Sequence, residues 1–103
     1  MKSIEGLSAE EERMAAVFRA MGNPARVRIV AELARRDECQ TSDLVGVLPL
    51  AQSTVSEHMR VLKEAGIVRG TIDDEKCYCL DADTIDAVIA FCEALKAEVC
   101  CAV

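Results

Sequence analysis

Leu50-Ala-Gln-Ser-Thr-Val-Ser-Glu-His-Met-Arg-Val-Leu-Lys-Glu-Ala-Gly-Ile-Val68 decides how this chain is read. Val55, Met59, Leu62 and Ile67 are spaced as one face of a helix, and Gly66 stands where a C-terminal cap belongs. The stretch opens on small polar residues, Gln52, Ser53, Thr54 and Ser56, and its other face adds Glu57, Arg60 and Lys63. Hydroxyls, amides and cations in that arrangement suit base edges and phosphates. A shorter helical stretch, Ser42 to Leu48, precedes it across the turn Leu48-Pro49-Leu50. Two helices joined this way read as a helix-turn-helix over 42–65, with the second helix as the reader.

The same stretch, with its Gln-Ser-Thr-Val-Ser opening and Glu64-Ala-Gly-Ile-Val68 close, resembles the recognition segment of the ArsR/SmtB family of bacterial repressors. Asn23-Pro24-Ala25-Arg26-Val27-Arg28-Ile29 is similar to that family's second-helix opening. The likeness covers roughly residues 14 to 80. It implies a dimeric winged helix-turn-helix that leaves its operator when a metal, metalloid or oxidant reaches cysteines or histidines.

A chain of 103 residues is long enough for one domain, here 1–103. With 51% hydrophobic but only 3% aromatic residues, its core is aliphatic, and a mainly α fold with a small β-hairpin is expected. No apolar run is long enough for a bilayer, and the N-terminus lacks a signal peptide's layout, so a cytoplasmic protein without membrane contact is expected. The net charge of −6 works against non-specific DNA affinity, which relies on Lys and Arg. The acid gathers at Glu10, Glu11 and Glu12 and at Asp73-Asp74-Glu75, the arginines at Arg26, Arg28, Arg35 and Arg36, so a local basic patch stays available. Those arginines read as a solvated face or as contacts to a DNA backbone.

Ser8-Ala-Glu-Glu11 fits a capping box that starts a first helix over 8–21, with Met14, Val17, Phe18 and Met21 on one side and Gly22 at its end. The family resemblance puts this helix in a dimer interface; closing its own core is the other reading. Asn23 caps a second helix with Pro24 at its first position, and Val27, Val30, Leu33 and Ala34 are expected as its buried stripe. Residues 67–80 read as a wing: Ile67 to Ile72, the acidic turn at 73–75, then Lys76 to Leu80, with Arg69 and Lys76 placed for phosphate. The last helix, 82–100, starts near Asp81 or Asp83. Its seam of Ile85, Val88, Cys92, Leu95 and Val99 suits pairing with its copy, or burial against its own core.

Six cysteines in a chain without a secretory layout point to metal binding or redox chemistry. The only histidine, His58, lies in the reading helix and is expected as a surface residue or DNA contact rather than a ligand. The family's zinc-type site on the last helix needs paired histidines and carboxylates that this chain lacks. Thiolates without histidine favour As(III) or Sb(III), and less specifically Cd(II).

Two cysteine groups compete. The first, placed slightly ahead, is Cys92 with the vicinal pair Cys100-Cys101, which resembles arsenic-responsive members of the family. Eight residues of helix separate Cys92 from Cys100 by about 12 Å, so closing a site needs a partner's helix or a folded-back terminus. The second is Cys39 with Cys77 and Cys79, if a short strand at 39–41 pairs with the second wing strand. Alternation puts Cys77 and Cys79 on one face and Tyr78 on the other. The family's better-known Cys-x-Cys-Asp-Leu-Cys signature is absent, with Gln40, Ser42 and Val45 in its places.

The leading expectation is therefore a homodimeric repressor of double-stranded operator DNA, contacting it through Gln52, Ser53, Thr54, Ser56, Glu57, His58, Arg60, Lys63 and Arg69, and released by As(III) or Sb(III). No cofactor is expected for DNA binding itself. A thiol-based redox or persulfide switch on the same fold is the alternative, and a cysteine-rich metal-binding protein without an operator is a third. No nucleophile–base pair or phosphate-binding glycine loop is readable, so an enzyme is not expected.

Overall fold

The computed structural model describes residues 5–36, 39–40, 46, 48–70 and 77–101. Among the described residues four helices and three short strands run in the order α1 (Ala9–Met21), α2 (Pro24–Ala34), β1 (Cys39–Gln40), α3 (Gln52–Glu64), β2 (Val68–Gly70), β3 (Cys77–Leu80) and α4 (Ala82–Ala97). The expected first helix of the helix-turn-helix and the acidic wing turn, with Lys76, lie outside the described residues. The architecture is the expected one, mainly helical with a small antiparallel sheet: a winged helix-turn-helix.

The caps read from the sequence are the ones that form. The Ser8 side chain accepts from the Glu11 N–H at 3.0 Å while the Glu11 carboxylate accepts from the Ser8 N–H at 2.9 Å. Asn23 Oδ1 accepts from the N–H groups of Ala25 and Arg26, with Pro24 at the first helical position. At the far end of α3, Gly66 adopts φ 82° and donates to the Lys63 carbonyl, and Ile67 donates to that of Leu62, each at 3.0 Å. This paired closure turns the chain from α3 into β2 and sets Ile67 against Leu62, both fully buried. A residue with a Cβ at Gly66 would hold a left-handed backbone at a cost of about 1–2 kcal/mol.

Val55, Met59 and Leu62 of α3 form the centre of the core, against Val17 and Ala20 of α1, Ile29 and Leu33 of α2, and Ile67, Val68 and Tyr78 at the sheet. The second helix turns a different face inward from the one its valines suggest. Ile29, Glu32 and Leu33 are buried, Val30 is partly buried, and Val27 and Ala34 are exposed. Glu32 conceals this face in the sequence. Its stem packs inward while its carboxylate pairs with Arg35 and, at 3.8 Å, with Arg36 at the helix end. On α1, Met14 and Val17 are buried, but Phe18 lies 45% exposed, its ring centroid 6.1 Å from that of Phe91 on α4.

The sheet order is β1-β3-β2, both pairings antiparallel. The short strand at Cys39 does pair with the second wing strand, but its register sets Cys39 opposite Tyr78 and Gln40 opposite Cys77. Position 39 is thus out of phase with positions 77 and 79, and the backbone does not favour the three-sulfur convergence. The last helix is shorter than expected. It begins at an Asp81 cap as anticipated, but ends at Ala97, so Val99, Cys100 and Cys101 lie beyond it. Within one chain α4 buries little: Thr84 is its one buried residue, while Ile89 and Leu95 stay about half exposed.

Thr84 makes the joint between these elements. Its hydroxyl donates to the Gly66 carbonyl at 2.6 Å and accepts from Arg13 Nη2 of α1 at 3.2 Å. With the Asp81 N–H donating to the Ile67 carbonyl at 2.9 Å, this fixes α4 to the turn that ends α3.

Candidate nucleic-acid interface

The outer face of α3 is exposed because its opposite face is committed to the core. Gln52, Ser53, Thr54, Glu57 and Arg60 are exposed, and Ser56, His58 and Lys63 are half-buried at its flanks. Ala51 occupies the N-cap position and offers no side-chain acceptor. Thr54 N–H donates to the Ala51 carbonyl at 3.0 Å, and the N–H groups of Gln52 and Ser53 are left for an outside acceptor, the kind of contact a phosphate oxygen makes at a helix start.

The charged residues on this face are not free hooks. Arg60 donates from Nε to Glu57 Oε2 at 3.0 Å and from Nη1 to Glu64 Oε1 at 2.6 Å, and its Nη2 reaches Glu57 Oε1. The Arg60 hydrogen bond, ahead of any other influence, holds the Glu57 carboxyl below its ordinary value, and Glu57 in turn holds the Arg60 proton more tightly than usual. Both side chains are exposed, so exchanging this pair for a phosphate or base costs little. Lys63, expected on the reading face, instead donates from Nζ to the Gly70 carbonyl at 2.9 Å, tying the last turn of α3 to the wing strand. Arg69 is exposed on β2 opposite Cys79. The Cys79 side chain, and more distantly Asp81 and Asp83, raise the guanidinium's pKa above its ordinary value.

His58 is not a simple surface residue. It is half-buried, and its Nδ1 accepts from Arg26 Nε at 3.2 Å. Sequence reading missed the roles of Arg26, read there only as a solvated or backbone-contacting arginine, and of Thr84 in holding the helices together. Their contacts bridge 32 and 18 positions respectively, and no local spacing announces them.

Of the six cysteines, Cys79 is half-buried and Cys92, Cys100 and Cys101 are exposed, all four as free thiols. Among the described residues no three cysteine, histidine or carboxylate side chains gather closely enough to hold an ion. The Cys92, Cys100 and Cys101 set is therefore not assembled within a single chain.

Residues 23–69, which include α2, β1, α3 and the start of β2, match the model of the bacterial regulatory protein arsR family. That stretch resembles the ArsR-family regulators. The chain is 36% identical over 58 residues to an HTH-type transcriptional regulator of Methanocaldococcus jannaschii, covering 56% of this chain and 65% of that protein. It is 39% identical over 54 residues to the HTH-type transcriptional repressor SmtB of Mycobacterium tuberculosis, covering 52% of this chain and 39% of that one. The shared part thus spans less than two thirds of either relative. Its fold matches the homodimeric winged helix-turn-helix domain of a possible ArsR-family regulator of Mycobacterium bovis, with a TM-score of 0.69 at 20% identity over 97% of this chain and 93% of that one. These relatives are transcriptional regulators rather than enzymes. Among the described residues no helix is long and apolar enough to cross a membrane.

Proposed function

We propose that this chain is an ArsR/SmtB-type regulator, a homodimeric repressor that lays α3 in successive major grooves of an imperfectly palindromic operator and is released by trivalent arsenic or antimony. One observation carries the DNA reading: α3 buries Val55, Met59 and Leu62 and leaves Gln52, Ser53, Thr54, Glu57 and Arg60 outward at an uncapped helix start. Self-association is supported by apolar surface that one chain leaves uncovered on α1 and α4, at Phe18, Ile89 and Leu95.

The inducer reading rests on donor chemistry. Cys92, Cys100 and Cys101 are exposed thiols near the end of that same surface, and soft thiolate donors without histidine favour thiophilic ions. Since one chain does not gather them, the third sulfur comes from the partner's α4 or from a folded-back terminus. Binding then favours the dimer shape that brings the thiols together, and release follows from the ion's differential affinity for that shape.

Cys79 supports a second reading, a thiol redox or persulfide switch. It is a free, half-buried thiol that faces the exposed Arg69 across the strand pair.

Anaerobic fluorescence anisotropy of the reduced protein on DNA from its own promoter separates these. Arsenite or antimonite should release the DNA, zinc should not, and changing Cys100 and Cys101 to Ser should abolish the response. Indifference to every ion, with release by peroxide or polysulfide that depends on Cys79, would replace the metalloid reading with the redox one.

A further inference from the structure

Ala20 lies in the last turn of α1, and the residue four places on, whose N–H would take up its carbonyl in a continuing helix, is Pro24. Proline has no N–H to give. Arg26 supplies the missing donor, its Nη1 reaching the Ala20 carbonyl at 3.2 Å. The same guanidinium donates through Nε to His58 Nδ1 at 3.2 Å, midway along α3. Arg26 is itself held at the start of α2, where Asn23 Oδ1 accepts from its backbone N–H at 3.3 Å. One side chain therefore joins the end of α1, the beginning of α2 and the middle of the reading helix.

Packing beside that joint is thin. A cleft of about 400 Å³ separates α1 from α3, floored by the small residues Ala16, Ala20 and Ala65. The core grips α3 along Val55, Met59 and Leu62, while on this flank the only apolar side chain of α3 larger than alanine that lines the cleft is Val61, which is partly buried. Lys63 and the Thr84 joint hold the far end of α3, and the hydrogen bonds of Arg26 add a restraint at its middle on the helix rolling about its axis.

We propose that Arg26 is a positioning residue for DNA recognition: it sets the rotation of α3 through a hydrogen bond that only a neutral His58 accepts, which makes operator affinity sensitive to protonation of that imidazole. The proposal rests on the reading of α3 as the DNA-contacting helix. An imidazole that accepts at Nδ1 carries its proton on Nε2. A second proton, at Nδ1, turns the acceptor into a donor and sets a cation against the guanidinium. Glu57, on the same helix, feels the charges of both His58 and Arg26, while Arg19 of α1 and Glu64 of α3 line the cleft beside Arg26. Glu57 is already committed to Arg60 and does not replace the lost bond.

The test uses a fluorescein-labelled duplex that the wild-type protein selects from a randomised pool, with anisotropy read at about pH 8 and about pH 5.5, on either side of ordinary imidazole titration. Arg26→Met and His58→Leu remove the bond and should each weaken binding about tenfold at the higher pH, the scale of one lost hydrogen bond. His58→Asn places an acceptor that cannot be protonated near the Nδ1 position. It should bind like wild type at the higher pH and keep that affinity at the lower one, where wild type loses it.

The slope of log affinity against log salt should not change in Arg26→Met. A slope shallower by about one would make Arg26 a direct phosphate contact and overturn the proposal. Loss of affinity in His58→Asn equal to that in His58→Leu would make His58 a DNA contact and overturn it as well. Should Arg26→Met fail to fold, the two His58 variants still decide. If the wild type selects no duplex, the DNA reading falls. The link is then judged in the free protein by imidazole 15N chemical shifts, where a protonated Nδ1 at neutral pH refutes it.

Discussion

Replacing Thr84 with valine removes one oxygen and keeps the shape of the side chain, which makes it a sharp probe of how α4 is fixed to α3. Thr84 is 3% exposed, and its Oγ1 donates to the Gly66 carbonyl at 2.6 Å and accepts from Arg13 Nη2 at 3.2 Å. Its backbone N–H, which Asp81 Oδ1 accepts at 3.1 Å, is untouched by the change, so the helix cap survives. Leaving the Gly66 carbonyl without its partner costs about 1–3 kcal/mol, while the Arg13 guanidinium can turn to water and forfeits less. A loss of about 2–3 kcal/mol is expected, which for a domain of this size lowers the melting temperature by roughly 10–20 °C. Urea melts followed by circular dichroism measure it, at one fixed protein concentration because self-association ties stability to concentration. Thr84→Ser keeps the hydroxyl and should lose about 1 kcal/mol or less. Valine within about 0.5 kcal/mol of wild type, or serine as damaging as valine, would refute the role given to this hydroxyl.

Gly66→Ala should cost about 1–2 kcal/mol through its positive φ alone, since the added Cβ would meet nothing closer than Thr84 Oγ1 at 3.7 Å. Gly22→Ala, at φ −79°, should lose nothing and gain up to about 1 kcal/mol, and equal losses at both sites would contradict the backbone argument. Glu57→Gln should leave Arg60 held by Glu64 alone and steepen the salt dependence of DNA binding by up to about one phosphate contact, as read by anisotropy. In the wild type the Glu57–Arg60 pair contributes fully above the ordinary carboxyl range and is lost as pH falls through the depressed Glu57 value. A carboxyl NMR titration should place that midpoint below the ordinary value of 4.5, and a midpoint above it would sink the pairing. Leu95→Glu puts a charge on the exposed seam of α4 and should yield monomers in sedimentation equilibrium, whereas an unchanged dimer would move the interface elsewhere.

What the sequence announced were the features with local causes. The capping box at Ser8, the Asn23-Pro24 start and the Gly66 closure each depend on residues within a turn of one another, and each formed as read. The α3 stripe was legible because polar residues interrupt it on every other side. The α2 stripe was not, since valines and alanines surround that helix and the one acid on the core face, Glu32, hides its burial behind Arg35 and Arg36. On the reading face the exposed residues were predictable from periodicity. The hydrogen bond of Lys63 to the Gly70 carbonyl was not legible, since that partner is set by where the wing returns. For the same reason the register at β1 escaped the pattern: alternation gives the faces of a strand, not which residue stands across from it.

The central claim is that α3 reads DNA from a symmetric pair of chains, and selection of bound duplexes from a randomised pool tests it most directly. The reduced, untreated protein should enrich an imperfect palindrome whose half-sites lie about one helical turn, 10–10.5 base pairs, apart. Protection of the major groove should centre on each half-site. A pool that stays random after repeated rounds, or one that converges on a single half-site without symmetry, would contradict the account.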